Sequence, residues 1–340
     1  MPETQHKTEL DLLRVVACLG VISHHVAGSS RRLFEGLAGA AALWGFFLSK
    51  TAVPLFLMIS GTVLLNRCDP PRKHLLRIGR LLAVLVLFSL LYEAVDCIVQ
   101  QSAFNPAVWV TRWIGAGATN SYWYLYLYLG ILLMLPLLQR LAGSMTEGNY
   151  RYALVWSLGV CGVWPLLTML WPVLKPHPYF AVPLFAFSIG LPLCGRWLSQ
   201  REGKAKKGAV VAAGVAVVLG PLILALASWR NPQRFEQYDN YFLLPVTAAA
   251  CGVYYLAYAW CRSRAFAPRC RSVWTKLGRL TFGIYLLSDL LIEQMEPIRA
   301  AMGKMLPQNT AGLLFVGIVF CTGAAITYFL TWIPGLKKLI

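Results

Sequence analysis

The sequence predicts an all-α, polytopic membrane protein, a bundle of about ten transmembrane helices. Three observations predict it. Hydrophobic side chains make up 58% of the 340 residues and charged ones only 13%, about half the charged share of a typical soluble domain. The mean hydropathy is +0.59. Apolar stretches of about twenty residues, enough to cross roughly 30 Å of hydrocarbon as a helix, recur from end to end. The chain leaves no room for a large soluble domain and reads as one integral membrane domain over 1–340. In a soluble protein the net charge of +17 would point to nucleic acid. Here the basic residues gather in alternate intervals between spans, so no nucleic-acid partner is expected and membrane lipids surround the chain.

The expected spans are 10–28, 42–65, 76–99, 121–139, 152–172, 179–197, 208–229, 241–261, 277–296 and 311–333. The clusters Arg67–Arg80, Arg196–Lys207 and Arg262–Arg279 fall on one side together with both termini, and few Lys or Arg fall on the other. The positive-inside rule then places both termini in the cytoplasm. The first apolar run lacks a small-residue cleavage site and carries internal charges, so it reads as a retained span rather than a signal peptide. Nine cysteines lie scattered without a CxxC pair or metal-ligand spacing. They are expected to be free thiols, with no metal site.

The first span, LDLLRVVACLGVISHHVAG, carries Asp11, Arg14, His24 and His25. Ionisable groups inside a span are costly and usually functional. Arg14 and His25 lie 11 residues apart, which is three turns plus about 20°, so they share a face about 16 Å apart along the axis. Asp11, one turn before Arg14, is placed to pair with it. His24 points about 100° away from His25. A neutral histidine is a ready general base, which makes His25 and Arg14 the candidate catalytic pair. The competing structural reading is a snorkelling arginine and a histidine satisfied between helices.

The second span contains VPLFLMISG, where Pro54 and Gly61 are expected to interrupt the helix, either as a packing kink or where a cavity satisfies the backbone. Lys50 sits just before this stretch and either snorkels or faces an acceptor. Arg72, Lys73, Arg77 and Arg80 crowd the start of the third span. Such a cluster fits topogenesis, anionic lipid or a phosphate-rich cofactor. The fourth span opens SYWYLYLYLG, whose Trp123 and Tyr124 read either as an interfacial belt or as a platform for sugar rings. The ninth, GRLTFGIYLLSDLLIEQ, places Ser288, Asp289 and Glu293 at a depth similar to His25; they either line the same cavity or neutralise nearby arginines.

These stretches resemble the acyltransferase-3 family, integral membrane enzymes that O-acetylate bacterial cell-envelope glycans. DLLRVVACLGVISHH is similar to the family's Arg-x10-His pair, VPLFLMISG to its Phe-rich turn ending Ser-Gly, PRKHLLRIGR to its basic mouth of the third span, and SYWYLYLYLGILLMLPLL to its aromatic span ending Leu-Pro. The spacing is most like the enterobacterial common antigen O-acetyltransferase type. One departure stands out. The family's late Tyr-x-x-Tyr-Leu-x-His stretch here reads TFGIYLLSDLL, with Phe282 for the first tyrosine and Ser288 in place of the histidine.

The resemblance implies a bacterial inner-membrane enzyme that moves an acyl group from cytosolic acetyl-CoA to a glycan or lipid-linked saccharide at the outer face. Arg72, Lys73, Arg77 and Arg80 would hold the CoA phosphates, with Arg14 deeper and His25 as base. Lys50, Trp123, Tyr124, Ser288 and Asp289 are the expected acceptor contacts. The rival reading is a transporter or flippase for a lipid-linked saccharide or small solute, which ten spans with broken helices and buried charges would also suit.

Overall fold

The computed structural model describes residues 8–28, 36–115, 118–174, 186–201, 205–263 and 268–340. These residues are helical, without a strand among them. The helices are α1 (Thr8–Gly28), α2 (Gly36–Ser49), α3 (Ala52–Leu64), α4 (Pro71–Gln100), α5 (Pro106–Gly115), α6 (Trp123–Ser144), α7 (Glu147–Ser157) and α8 (Trp164–Leu170), followed by α9 (Phe187–Ser199), α10 (Lys207–Arg230), α11 (Phe235–Tyr238), α12 (Leu244–Ser263), α13 (Pro268–Gln294), α14 (Glu296–Met305) and α15 (Gln308–Leu330). Eight segments are long and apolar enough to cross a membrane: α1, α2 with α3, α4, α6, α7 through α8, α10, α12 and α15. The protein is a multi-pass membrane bundle. The other two expected spans correspond to α9 and α13. Residues 179–185 of the sixth expected span lie outside the described residues, as do Arg31, Arg32, Lys175, Lys204 and Arg264. α13 has ample length, but its basic first half dilutes its apolarity.

Local chemistry sets the boundaries. Pro70 and Pro71 open α4, where proline's missing N–H costs nothing. Gln101 closes that helix in the left-handed region, at φ 52°. Thr146 caps α7 by accepting from the Asn149 N–H. The second expected span breaks elsewhere than predicted. Pro54 sits in the first turn of α3, which runs unbroken past Gly61, and the interruption falls at Lys50 and Thr51 between α2 and α3. A first-turn proline has no helical hydrogen bond to lose, so it does not break the helix.

Gly61 serves packing. A Cβ there would lie 1.9 Å from the Pro192 carbonyl oxygen, and one at Gly195 would lie 2.0 Å from that of Met58. Backbones of α3 and α9 therefore touch, as small residues allow between membrane helices. At Gly278 a Cβ would meet the Asp11 side chain at 2.8 Å, so α1 and α13 also pack tightly, side chain against backbone, and they share an extensive contact.

The helix directions alternate. α1 and α13 run parallel, since Asp11 meets Thr275, Cys18 meets the Thr281 carbonyl and His25 meets Asp289. α4 runs with them, its Tyr92 hydroxyl bonding Leu286 and Leu290. α6 runs opposite, from Ser121 beside Asp289 to Gln139 beside Leu64. The start of α1 and the final residues share one end, where Arg80 donates to the Leu339 and Ile340 carbonyls. Leu87, Leu90, Val211, Ile223 and Leu313 stand exposed on α4, α10 and α15, forming an apolar outer wall suited to acyl chains. The core lies where α1, α3, α6, α12 and α13 converge.

Candidate active site

Two cavities lie along α1. The larger, about 210 Å³, is lined by Arg14, Ser60, Tyr124, Tyr128, Thr281, Phe282 and Tyr285, with Phe56 and aliphatic side chains of α3 and α6 completing it. The smaller, about 20 Å³, is lined by His24, His25, Ser49, Phe56, Ser121, Trp123, Tyr124, Tyr241 and Tyr285 with small residues of α1 and α3. Arg14 and His25 thus share a face of α1, each in its own chamber.

Each chamber has its own electrostatics. Arg14 donates to Asp11 at 2.9 Å. Asp11 is fully buried and also accepts from Thr275. This pairing offsets the cost of a buried carboxylate and fixes the guanidinium at the cavity wall. Among the described residues, Arg14 is the one charged side chain in the wall of the large chamber, and Arg77 and Arg80 stand beyond its Tyr128 end, toward the basic cluster. Ser60, the serine of the VPLFLMISG stretch, interacts with the hydroxyls of Tyr124 and Tyr128.

In the small chamber His25 Nδ1 lies 3.7 Å from Asp289 Oδ1. The other oxygen, Oδ2, accepts from the Thr119 hydroxyl and from the Ser121 hydroxyl and backbone N–H, the latter two at 2.5 and 3.3 Å. Asp289 is therefore held by one oxygen and offers the other to the imidazole. His24 makes different contacts. Its ring packs on Phe46 and Tyr241, and Nδ1 lies 3.5 Å from the Ser49 hydroxyl.

The other expected acceptor residues divide. Trp123 and Tyr124 line the small chamber, and Trp123 packs on Tyr241 at 5.2 Å between centroids. Tyr124 also lines the large chamber. Lys50 turns inward and is 1% exposed. It pairs with Asp239 and lies under the Tyr241 and Phe46 rings, which places it behind the chamber wall. Ser288 is fully buried and donates to the Tyr285 carbonyl. One residue from Asp289, it is turned about 100° away, and neither of the two lines a cavity; Asp289 stands behind His25 instead. Glu293 is exposed.

The expected phosphate cluster is partly committed within the protein. Asp69 receives Arg77 at 2.7 Å and Lys73 at 3.3 Å. Burial works against ionisation of Asp69, but the hydrogen bonds and charges of Arg77 and Lys73 outweigh it and hold the carboxyl below its usual range. Arg80 meets the last two carbonyls, and Arg72 is exposed.

Sequence reasoning missed Phe56, Tyr241, Tyr285, Asp239, Thr119 and Ser121. Phe56 and Tyr285 lie in stretches singled out for other residues. Nothing in an apolar, aromatic-rich span marks which rings face inward. Asp239 stands in a short polar loop far from Lys50 in sequence.

A family model described as an acyltransferase domain matches residues 7–332. No curated protein and no solved structure matches the chain.

Proposed function

This chain belongs to the acyltransferase-3 family of membrane acyltransferases, and we propose from that premise that it carries an acetyl group from cytosolic acetyl-CoA to a hydroxyl of a cell-envelope glycan. The observation that carries the reading is the pair of chambers in series along α1, one lined by Arg14 and the other by His25, which has the Asp289 carboxylate beside it. A donor entering from one side and an acceptor from the other need such an arrangement.

The end with Arg14 faces the cytoplasm in this reading, as the basic residues around it favour. The CoA phosphates bind Arg72, Lys73, Arg77 and Arg80, replacing Asp69 as partner of Lys73 and Arg77. The pantetheine arm lies in the large chamber past Arg14 and brings the thioester toward His25. The acceptor sugar stacks on Trp123 and Tyr241. Lys50 and Asp239 hold Tyr241 in place rather than contact the sugar.

His25 Nε2 takes the proton as the acceptor oxygen attacks the thioester carbonyl carbon. Asp289 pairs with the imidazolium that forms, and the 3.7 Å approach tightens in the loaded complex. The C–S bond then breaks as the C–O ester bond is completed. CoA leaves as thiolate, and the proton held by His25 is returned to it or to water. The acceptor class closest to the sequence pattern is the enterobacterial common antigen type, a lipid-linked or surface glycan.

Mass spectrometry of envelope glycans tests this in a deletion strain complemented with wild type, Arg14→Ala or His25→Ala, at matched membrane levels. The expected result is an acetyl-sized mass restored by wild type alone. Full acetylation with His25→Ala removes the assigned base. An acetylation pattern indifferent to the deletion removes the glycan acceptor.

A further inference from the structure

The two chambers share three wall residues, Phe56, Tyr124 and Tyr285. Their rings touch pairwise, with centroids 6.0 Å apart for Phe56 and Tyr124, 6.5 Å for Phe56 and Tyr285 and 6.3 Å for Tyr124 and Tyr285. They come from three different helices, α3, α6 and α13, and form a collar across the line from Arg14 to His25. Two leaves are tied. The Tyr285 hydroxyl donates to the Ser121 carbonyl at 2.6 Å. Tyr124 stacks on Tyr128 at 6.2 Å and 12°. Phe56 carries no polar group, so rotation about its side-chain bonds breaks no hydrogen bond.

We propose that this aromatic collar gauges the acyl chain, with Phe56 as its movable leaf, so that only a two-carbon acyl group reaches His25. This rests on the acyl-transfer reading above. The argument is one of size. A water-sized group needs about 10–15 Å³ of such space. The chamber of about 20 Å³ beyond the collar therefore admits one or two small groups, such as the methyl end of an acetyl, while the acceptor sugar stays at the chamber's mouth with only its hydroxyl turned toward His25. The chamber of about 210 Å³ on the Arg14 side takes on the order of ten such groups. A longer acyl chain fits the large chamber but strands its thioester short of the base. Donor binding and acyl selection are thereby separated, the first at Arg14 and the second at Phe56.

The test uses the full chain in detergent, glycan extracted from the deletion strain as acceptor, and acetyl-, butyryl- and hexanoyl-CoA as donors. Ester formation is read by mass spectrometry. Wild type is expected to favour acetyl over butyryl at least about tenfold, the scale on which pockets discriminate added methylenes. Phe56→Ala is expected to raise the butyryl-to-acetyl ratio about tenfold, whatever its effect on the acetyl rate itself, with Phe56→Leu giving a smaller rise. Phe56→Trp is expected to lose transfer while acetyl-CoA still raises its melting temperature. The gauge is overturned if wild type uses butyryl as well as acetyl. It is also overturned if Phe56→Ala and Phe56→Leu, both shown to be folded by cooperative thermal unfolding, retain the wild-type ratio. If wild type makes no ester from any donor, the acyl-transfer reading itself fails and takes the gauge with it.

Discussion

A histidine that takes a proton inside a bundle creates a cation in a poorly solvated place, and a nearby carboxylate decides whether that cation is tolerated. His25 has that carboxylate in Asp289, which Thr119 and Ser121 hold by its far oxygen. General-base catalysis is worth about 10²–10⁴ in rate, and His25→Ala is expected to lose that much. Asp289→Asn keeps the size and the links to Thr119 and Ser121. It should lower kcat while leaving KM for acetyl-CoA unchanged, because the donor binds in the other chamber; a changed KM with constant kcat would remove Asp289 from the base. A second buried pair makes an asymmetric prediction. Lys50 is nearly inaccessible, whereas its partner Asp239 is 37% exposed. Removing the anion strands a buried cation, at a cost of about 3 kcal/mol or more. Removing the cation leaves a carboxylate that water can reach. Thermal unfolding should therefore rank Asp239→Asn as more destabilising than Lys50→Met, and the reverse order would contradict the burial of Lys50. The sequence marked Lys50, Asp289 and His25 because charge is rare in apolar spans. It could not pair them, because pairing depends on helix order, which apolar periodicity does not encode.

Elements are held here by close backbone contact as much as by side-chain filling. Gly61→Ala would push α3 and α9 apart, since the added carbon meets the Pro192 carbonyl at 1.9 Å. Backbone cannot turn aside as a rotamer can, so the cost should reach or exceed about 1–3 kcal/mol, read as a lower melting temperature in detergent. Gly79→Ala, where nothing lies within 4 Å, is the matched control and should be neutral or slightly stabilising through helix propensity. The start of α4 is tied differently, by Asp69. Because its carboxyl is held below its usual range by Arg77 and Lys73, its contribution is fully present above about pH 4 and is lost as pH falls through the lowered value. Wild type should thus lose more melting temperature than Asp69→Asn between pH 7 and pH 3, and parallel curves would remove Asp69 as a tether. Helix existence was legible in the sequence because apolar runs of spanning length have few alternatives in lipid. The break at Lys50 was not. Proline drew attention to Pro54, four residues further on, yet proline in a first turn obeys the helix.

At the scale of the whole molecule, alternation of helix direction is the property on which the functional reading turns. The last residues lie at the end where α1 begins, beside Arg80. Arg14 and the basic cluster lie at that end and His25 with Asp289 toward the other. Lys and Arg bias was legible from the positions of the basic clusters between the apolar runs and favours the Arg14 end as cytoplasmic. Which rings close the passage between the ends was not legible, because Phe56, Tyr124 and Tyr285 meet only when three helices from distant parts of the chain converge. Orientation is testable with two exposed positions. Cys68 is an exposed thiol just before α4, at the Arg14 end. Met305, 85% exposed, closes α14 at the His25 end. In single-cysteine variants, a membrane-impermeant maleimide should label Met305→Cys in intact cells and Cys68 only in inside-out vesicles. The opposite pattern would open the His25 chamber to the cytosol. A donor entering from that side would meet the small chamber first, with the basic cluster stranded across the membrane, and neither the CoA assignment nor the order of the two chambers would survive.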